Sequence, residues 1–349
     1  MSFVSHHVER RTRKNNFLRQ IKQIIDWQPI EKEINKIYKR GKSADGRPSY
    51  PGILLFKMLL LQTWYKLSDP GVEDMVNENL SAMYFCDLQI EDNVPDHSVL
   101  SRFRTELTQK KAFDRLLRKI NKQLEQKNIM VKEGAALIDA SITQSPRSPK
   151  GKTTYEVAQD RKEDRHEDEE LDKEERSLKL VKVKQPGVDE QGRWLKKGSR
   201  LYFGFKKHVA TDLAGLVTAV HTTTANEHDS KGLAPLIKKV EKKKVKDGAY
   251  ADKGYKVPAN DELLSKEKIK NRIQYKAYRN KPLNDWQIKF NKLVSKERYK
   301  VERTFGGMKR WFGAGVAKYV GIDKTHSQHV IEAIAHNLYR SPGIIMSNC

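Results

Sequence analysis

Cysteine is scarce in this chain: its 349 residues include 2 cysteines, Cys86 and Cys349. The two lie far apart in the sequence, and no Cys-x-x-Cys pair occurs. A fold held together by disulfide bonds is therefore excluded, as is a zinc site built from paired cysteines. We expect a protein that works in a reducing compartment.

Long apolar segments are absent as well. The longest apolar run, Ile53–Leu61, is interrupted by Lys57 and is too short to span a bilayer. Residues Met1–Asn16 are polar and basic and lack the apolar stretch of a signal peptide. These features predict a soluble protein of the cytoplasm that has no membrane partner.

Acidic residues are outnumbered by basic ones, with 45 Asp and Glu against 68 Lys and Arg, which gives a formal net charge of +23. Each phosphate that a basic surface neutralises releases a condensed counterion, so such a surface favours nucleic acid. A ribosome-associated factor would carry a similar charge. The charge therefore predicts a nucleic-acid partner and leaves the activity open.

The first 125 residues carry a helical pattern. Apolar residues recur at helical spacing from Phe17 to Ile37. Capping residues beside proline mark two helix starts, at Ser68-Asp69-Pro70 and at Pro95-Asp96, and Gly41–Tyr50 is typical of a loop. We therefore predict an all-helical N-terminal domain over residues 1–125.

The second of these start signals opens a helix with a basic side. Its apolar stripe is Leu100, Phe103 and Leu107, and we expect Arg102 and Arg104 to point away from that stripe. A basic helix after a short helical pair is typical of a DNA-reading element, so both arginines are candidate DNA contacts. A helical bundle used for dimerisation is the alternative.

From residue 134 the pattern becomes that of an α/β domain, which we place at residues 130–349. It predicts strands at Ala135–Asp139, Leu201–Ala210 and Leu216–Thr224, a helix from Asp229, strands at Val245–Ala251 and Ile269–Tyr275 with a helix between them, and a long helix from Asn284 to Phe312. This order fits a ribonuclease-H-like fold, a mixed five-stranded sheet with helices on both faces.

Residues 143–198 do not fit that core. The segment Arg161–Arg176 is almost entirely charged and carries both signs. Such a segment forms a solvated helix or a disordered loop, because it has no apolar surface to bury. We therefore predict that residues 143–198 are a charged insertion in the sheet domain.

Two aspartates stand at the ends of candidate strands. Asp139 ends an apolar run, and Asp252 follows Ala251 and precedes Gly254. If the two strands are neighbours, both carboxylates project from one edge of the sheet. Carboxylates are the ligands of hard divalent cations, and two such cations can activate water and stabilise the leaving oxygen of a phosphodiester. Asp247 competes with Asp252 for this role.

The third candidate carboxylate is Glu302, on the long helix. Arg298, Glu302 and Lys309 share a face that differs from the apolar stripe of that helix. This arrangement would place a metal ligand between two cations that could hold DNA phosphates. An ordinary surface salt-bridge ladder is the alternative, and Glu297 is a competing carboxylate.

These residues carry a family resemblance. The spacing Arg298-x3-Glu302-x6-Lys309 resembles the C-terminal signature of insertion-sequence transposases of the DDE class, and the group numbered five is the most similar. Asp139-Ala-Ser and Ala251-Asp-Lys-Gly-Tyr resemble the segments that bear the two aspartates of this class. The resemblance spans roughly residues 41–340. One departure is Ser295, at a position where the signature often has tyrosine.

The resemblance implies an enzyme that cleaves the ends of an insertion sequence and joins the 3′-OH to target DNA. It implies that Asp139, Asp252 and Glu302 are catalytic and hold two Mg²⁺ or Mn²⁺ ions. Arg298, Lys309 and Lys253 would contact DNA. The partners would be double-stranded DNA, both terminal inverted repeats and target, and a second copy of the chain in a dimer or higher assembly near the nucleoid.

Two rival functions remain at this point: a ribonuclease-H-like nuclease that cuts without joining, and a non-catalytic DNA-binding protein derived from a transposase. Some further residues have two interpretations. Trp194, Trp311 and Tyr255 could stack on unpaired bases or simply pack in the fold. Asp229 could touch the site, although we expect it to cap the helix that follows.

Overall fold

The computed structural model describes residues 3–11, 16–39, 49–151, 155–157, 180–182 and 185–348. Its N-terminal part is helical, as predicted. The helices are α1 (Phe3–Arg11), α2 (Phe17–Ile24), α3 (Gln28–Asn35), α4 (Gly52–Trp64), α5 (Asp69–Glu78), α6 (Leu80–Phe85), α7 (His97–Gln109) and α8 (Ala112–Gln126). None of the helices in these ranges has the length and hydropathy that a membrane span requires.

Both predicted helix starts are confirmed by their capping hydrogen bonds. The Ser68 side chain accepts a hydrogen bond of 3.0 Å from the backbone N–H of Gly71, at the start of α5. At the start of α7, the Asp96 carboxylate accepts hydrogen bonds from the N–H groups of Ser98 and Val99. These side chains satisfy donors that have no partner within the first helical turn.

Arg104 corrects one prediction about α7. Arg102 is exposed, but Arg104 does not point away from the apolar stripe: it is 8% exposed and pairs with Asp69 on α5. Its guanidinium also lies over the ring of Tyr319, 4.5 Å from the ring centroid. Because a buried charge needs a partner, these long-range contacts hold Arg104 inside the protein. We therefore assign Arg104 a structural role.

The C-terminal part is a mixed sheet with its helices. The strands are β1 (Ala135–Gln144), β2 (Tyr155–Val157), β3 (Leu180–Lys182), β4 (Arg193–Lys197), β5 (Arg200–Thr211), β6 (Val217–Thr224), β7 (Gly248–Ala251) and β8 (Asn271–Ile273). The helices are α9 (Leu233–Lys239), α10 (Pro258–Lys266), α11 (Asp285–Phe312) and α12 (Ile322–Asn348). Short 3₁₀ turns at Asp229–Gly232, Lys242–Val245 and Lys253–Tyr255 connect them.

The main sheet has the order β4-β5-β1-β7-β8, with β6 also paired to β5. Strand β5 runs antiparallel to β1, β4 and β6, whereas β1, β7 and β8 are parallel to one another. Strands β2 and β3 form a separate two-stranded sheet. The predicted mixed sheet is confirmed, with β4 as an additional strand that extends the β5 edge.

The two faces of the sheet bury different clusters. On β1, Leu137 packs into the core shared with α8, α11 and α12, while Ile138 faces the smaller core beneath α9 and α10. This alternation follows from the two-residue period of a strand. Helices therefore cover both faces, as predicted. The larger core is continuous with the N-terminal helices, and the division at residues 125–130 stays a prediction.

Strand β1 corrects a second prediction, because it does not end at Asp139. It continues to Gln144, since β5 pairs with it antiparallel as far as Gly204. At the end of the predicted insertion, Arg193–Lys197 pairs with β5 as strand β4 of the main sheet, and the insertion itself stays a prediction. The charged segment Arg161–Arg176, which we expected to be solvated or disordered, lies outside the described residues.

Candidate active site

The sheet register brings two aspartates to one place. Strands β1 and β7 pair in parallel with Leu137 beside Tyr250, and two residues further along each strand stand Asp139 and Asp252. The Asp252 carboxylate is held at the end of β7 because it accepts a hydrogen bond of 2.8 Å from the N–H of Gly254. The two carboxylates therefore stand side by side on neighbouring central strands.

Helix α11 adds the other charged groups of the site. Its start is fixed by a capping box, in which Asn284 and Gln287 exchange side-chain to backbone hydrogen bonds. Three turns further on, Nη2 of Arg298 lies 3.4 Å from a carboxylate oxygen of Asp139 and 3.7 Å from one of Glu302. The predicted shared helical face of Arg298 and Glu302 is thus present, and it faces the first aspartate.

Arg298 is a buried bridge, 8% exposed, and not a surface cation. Besides the two carboxylates, its Nη1 donates a hydrogen bond of 3.3 Å to the side-chain oxygen of Gln274, just after β8. Gln274 in turn donates to Ser295 on α11. Gln274 was not among the residues singled out from the sequence, because it falls inside the predicted strand Ile269–Tyr275, whereas β8 ends one residue before it.

Burial and neighbouring charge perturb Asp139. Its side chain is 20% exposed, and burial raises its pKa to about 6. Within this net value the Arg298 guanidinium and the N–H of Ala140 lower the pKa, while the negative charges of Asp252 and Glu302 raise it. The pKa-lowering effect of Arg298 is therefore smaller than the combined effect of burial and the neighbouring carboxylates.

The side chains of the site are of the type that binds a hard divalent cation. Asp139, Asp252 and Glu302 offer carboxylate oxygens, which Mg²⁺ and Mn²⁺ prefer. As the side chains stand, no three His, Cys, Asp or Glu residues in the described ranges are close enough to hold an ion together. Glu302, whose side chain is 59% exposed, is paired with Arg298.

An open groove runs from Asp139 and Glu302 along α11. Its floor is β1 from Asp139 onward, one wall is α11 with Glu302 and Lys309, and the opposite wall is the β4–β5 hairpin with Lys197 and Tyr202. Partial burial lowers the pKa of Lys309, and the positive charges of Lys207 and Lys197 lower it further. Two lysines, Lys197 and Lys309, thus face a groove that begins at Asp139 and Glu302.

Lys253 is exposed, directly after Asp252. The other residues singled out from the sequence lie in varied settings. Tyr255 is fully buried, with its hydroxyl 3.4 Å from His208, so it is not placed to stack on a base. Trp194 is 47% exposed on β4, and Trp311 packs against Tyr339.

Asp229 corrects a third prediction, because the cap of the 3₁₀ turn after β6 is His228. The Nδ1 of His228 accepts the N–H of Ser230. Asp229 instead forms an ion pair of 2.8 Å with Lys206 of β5. Burial raises the pKa of Tyr255, and the negative charges of Asp139, Asp229 and Asp252 raise it as well. Asp229 therefore contributes to the acidic surroundings of the site.

A mixed sheet with paired aspartates on adjacent central strands and a glutamate on a following helix defines a class of enzymes that act on polynucleotides. The sequence profile of the Transposase DDE domain matches residues 132–338, and that of the Transposase domain (DUF772) matches residues 6–106. The chain belongs to the transposase DDE domain family, whose fold is ribonuclease-H-like and whose members generally use divalent metal ions.

One curated relative is the transposase for insertion sequence element IS1106 of Neisseria meningitidis serogroup B. It is 35% identical over 241 residues, which cover 69% of this chain and 76% of the relative. No solved structure matches the chain. The family and this relative together identify the chain as a transposase, which acts on DNA.

Proposed function

We propose that this transposase cuts DNA at the ends of an insertion sequence and joins the freed ends to target DNA at the site formed by Asp139, Asp252 and Glu302. The observation that carries the proposal is that buried Arg298 lies between Asp139 and Glu302, 3.4 and 3.7 Å from their carboxylate oxygens, while Asp252 stands beside Asp139 in the strand register. A surface salt-bridge ladder on α11 would not bury its arginine against a strand carboxylate.

The proposed chemistry has two balanced steps. In the first, a water oxygen attacks a phosphorus atom at the end of the element, the bond from phosphorus to the 3′ oxygen breaks, and that oxygen takes a proton to become a 3′-OH. In the second, this 3′-OH attacks a target phosphodiester and displaces a 3′ oxygen of the target strand. One bond to phosphorus forms and one breaks in each step, so no other co-reactant is needed.

Within this proposal the carboxylates hold the cations and the basic residues hold the DNA. Asp139, Asp252 and Glu302 would bind Mg²⁺ or Mn²⁺, with two ions expected. When bound, such ions lower the pKa of the attacking water and offset charge on the leaving oxygen. Lys253 and Lys309 would contact phosphates beside the scissile bond.

Arg298 has a different proposed role, because its side chain is buried. It orients Asp139 and Glu302 and reaches a DNA phosphate only at the mouth of the site. Arg102, exposed on α7, would contact DNA away from the site. Arg104 is left out of this set, because Asp69 and Tyr319 hold it inside the fold.

Three further proposals follow from the same reading. The chain falls in the group numbered five of bacterial insertion sequences, as the spacing from Arg298 to Lys309 suggests. It acts on double-stranded DNA, both terminal inverted repeats and target, in the bacterial cytoplasm near the nucleoid. Because joining two ends requires two active sites, it works as a dimer or higher assembly on DNA.

The test is cleavage of a duplex that carries the inverted repeat flanking the gene, with Mg²⁺ present. Asp139→Asn and Asp252→Asn should bind this duplex nearly as well as the unaltered protein and lose at least about a hundredfold in cleavage rate, because an amide is a poor ligand for a hard cation. Asp247→Asn, an exposed aspartate before β7, is the matched control and should cut normally. Normal cutting by Asp139→Asn would remove Asp139 from the site.

A further inference from the structure

Helix α11 contains two adjacent glycines in its interior, Gly306 and Gly307. Glycine destabilises a helix relative to alanine, so a glycine there calls for a reason. For Gly307 the reason lies within the protein, because a Cβ at this position would lie 3.0 Å from the ring of Trp311. For Gly306, leaving aside its own helix backbone, no atom of the described residues lies within 4 Å of the place where a Cβ would stand.

The open space beside Gly306 belongs to the groove of the proposed active site. Gly306 lines that groove between Glu302, one turn before it, and Lys309, one turn after it. Packing within the protein therefore does not explain the glycine. A close approach of something outside the chain to the helix backbone does explain it, because a side chain at this position would fill the space.

The charges that line the groove indicate the chemistry of the ligand that would approach Gly306. Lys309 stands on one wall and Lys197 on the other, and neither forms an ion pair with any of the residues described. The two lysines repel each other, and Lys207 lies close enough to add to the effect on Lys309. A chain of phosphates would neutralise both lysines, which an apolar or cationic ligand would not.

The β4–β5 hairpin presents Lys197 to the groove and its neighbour Lys196 to the other face. Lys197 pairs with Arg200 and Lys196 with Leu201 in the antiparallel register, and successive residues of a strand point to opposite sides. Tyr202 lines the groove together with Lys197, whereas Lys196 does not. Lys196 and Lys197 are thus neighbouring lysines that point to opposite faces of the hairpin, so one can serve as the control for the other.

We propose that one strand of the DNA substrate lies in this groove with its sugar–phosphate backbone against Gly306, and that Lys197 contacts a phosphate from the opposite wall. This inference rests on the proposed function, since it assigns the DNA path that leads to the carboxylates. Gly306 sets how closely the strand approaches α11, and Lys197 closes the groove over it.

The first experiment sets stability against DNA binding in Gly306→Ala. Because alanine is the better helix former and its methyl group meets no protein atom, the melting temperature should rise by about 1–2 °C. Affinity for a labelled duplex carrying the flanking inverted repeat should fall roughly five- to hundredfold, because the methyl group intrudes on the strand. Gly343→Ala on α12, where a Cβ also meets nothing within 4 Å, should gain stability and bind DNA normally.

Equal affinity of Gly306→Ala and the unaltered protein would overturn the proposal, whatever the stability shows. A second experiment uses thiol reactivity, which does not depend on cleavage. In Lys197→Cys the thiol should be protected from maleimide at least about fivefold by the duplex, whereas in Lys196→Cys the rate should stay unchanged. If the unaltered protein neither prefers the inverted repeat nor cleaves it, the proposed function is refuted. Equal protection of both thiols, or protection of neither, would refute the groove path itself.

Discussion

Replacing Asp139 by asparagine should stabilise the protein when divalent cations are absent. The same substitution should abolish DNA cleavage when they are present. The carboxyl is four-fifths covered, and its pKa is raised from 3.8 to about 6, mainly by burial. A raised carboxyl pKa means that the folded state binds the proton more tightly than the unfolded state. Ionised Asp139 therefore opposes folding at neutral pH, and a neutral amide of the same shape removes that cost.

The size of the effect follows from the displacement of the pKa. A pKa change of about two units corresponds to ~3 kcal/mol of unfolding free energy at pH 7. Because water still reaches part of the side chain, we expect ~1–3 kcal/mol. For a chain of this length the melting temperature should rise by about 1–4 °C. The sign depends on pH: the destabilisation by Asp139 is absent below pH 3.8, grows as the pH rises toward 6 and is constant above it.

The assay is thermal or urea unfolding of both proteins with a chelator at several pH values from 4.5 to 7.5. The advantage of Asp139→Asn should be below about 1 kcal/mol at pH 4.5 and complete at pH 7.5. Asp247→Asn, which is exposed, should differ from the unaltered protein by less than about 0.5 kcal/mol throughout. An advantage that is missing at pH 7.5, or that does not shrink toward pH 4.5, would refute the electrostatic account of the site.

Three further substitutions test the basic residues. Lys309→Ala should change the free energy of unfolding by less than about 1 kcal/mol. It should also flatten the salt dependence of terminal-repeat binding by about one unit of slope, measured by anisotropy at several salt concentrations. Equal slopes for the variant and the unaltered protein would leave Lys309 as an ordinary surface residue. Arg104→Ala should cost about 2–3 kcal/mol in urea unfolding, because it removes the ion-pair partner of Asp69 and leaves that carboxylate with the hydrogen bond from Gln62, whereas exposed Arg102→Ala should cost under about 0.5 kcal/mol. Similar stabilities of the two variants would contradict the buried role of Arg104.

Local signals predicted much of the fold because they act over short stretches of chain. The start of α11 was predicted at Asn284, and in the structure Asn284 and Gln287 form a capping box there, which involves only neighbouring residues. The hairpin of β5 and β6 was predictable since both strands carry β-branched and aromatic residues around a short turn. The side-by-side placement of Asp139 and Asp252 followed once their strands were taken as neighbours.

The errors have a common physical origin in contacts between distant parts of the chain. Strand β1 runs past Asp139 because β5, which begins some sixty residues later, supplies its antiparallel partner. Arg104 lies beside the apolar stripe of α7, and its burial depends on Asp69 and Tyr319, which no local pattern of α7 reveals. Arg298 was correctly placed on the face of Glu302, whereas its contact with Gln274 depends on where β8 ends.

The continuous core between the N-terminal helices and the sheet has a consequence for how DNA would be cut. Asn121 of α8 donates a hydrogen bond to the carbonyl of Val217 at the edge strand β6, and Asn337 of α12 accepts the N–H of the same residue. Asn337 also donates to Asn121, so two helices and the strand share one buried network. Buried polar networks with paired groups resist rearrangement. If α7 contacts DNA through Arg102, the spacing between that contact and the cut phosphodiester is therefore set by packing within the protein and not by a flexible linker.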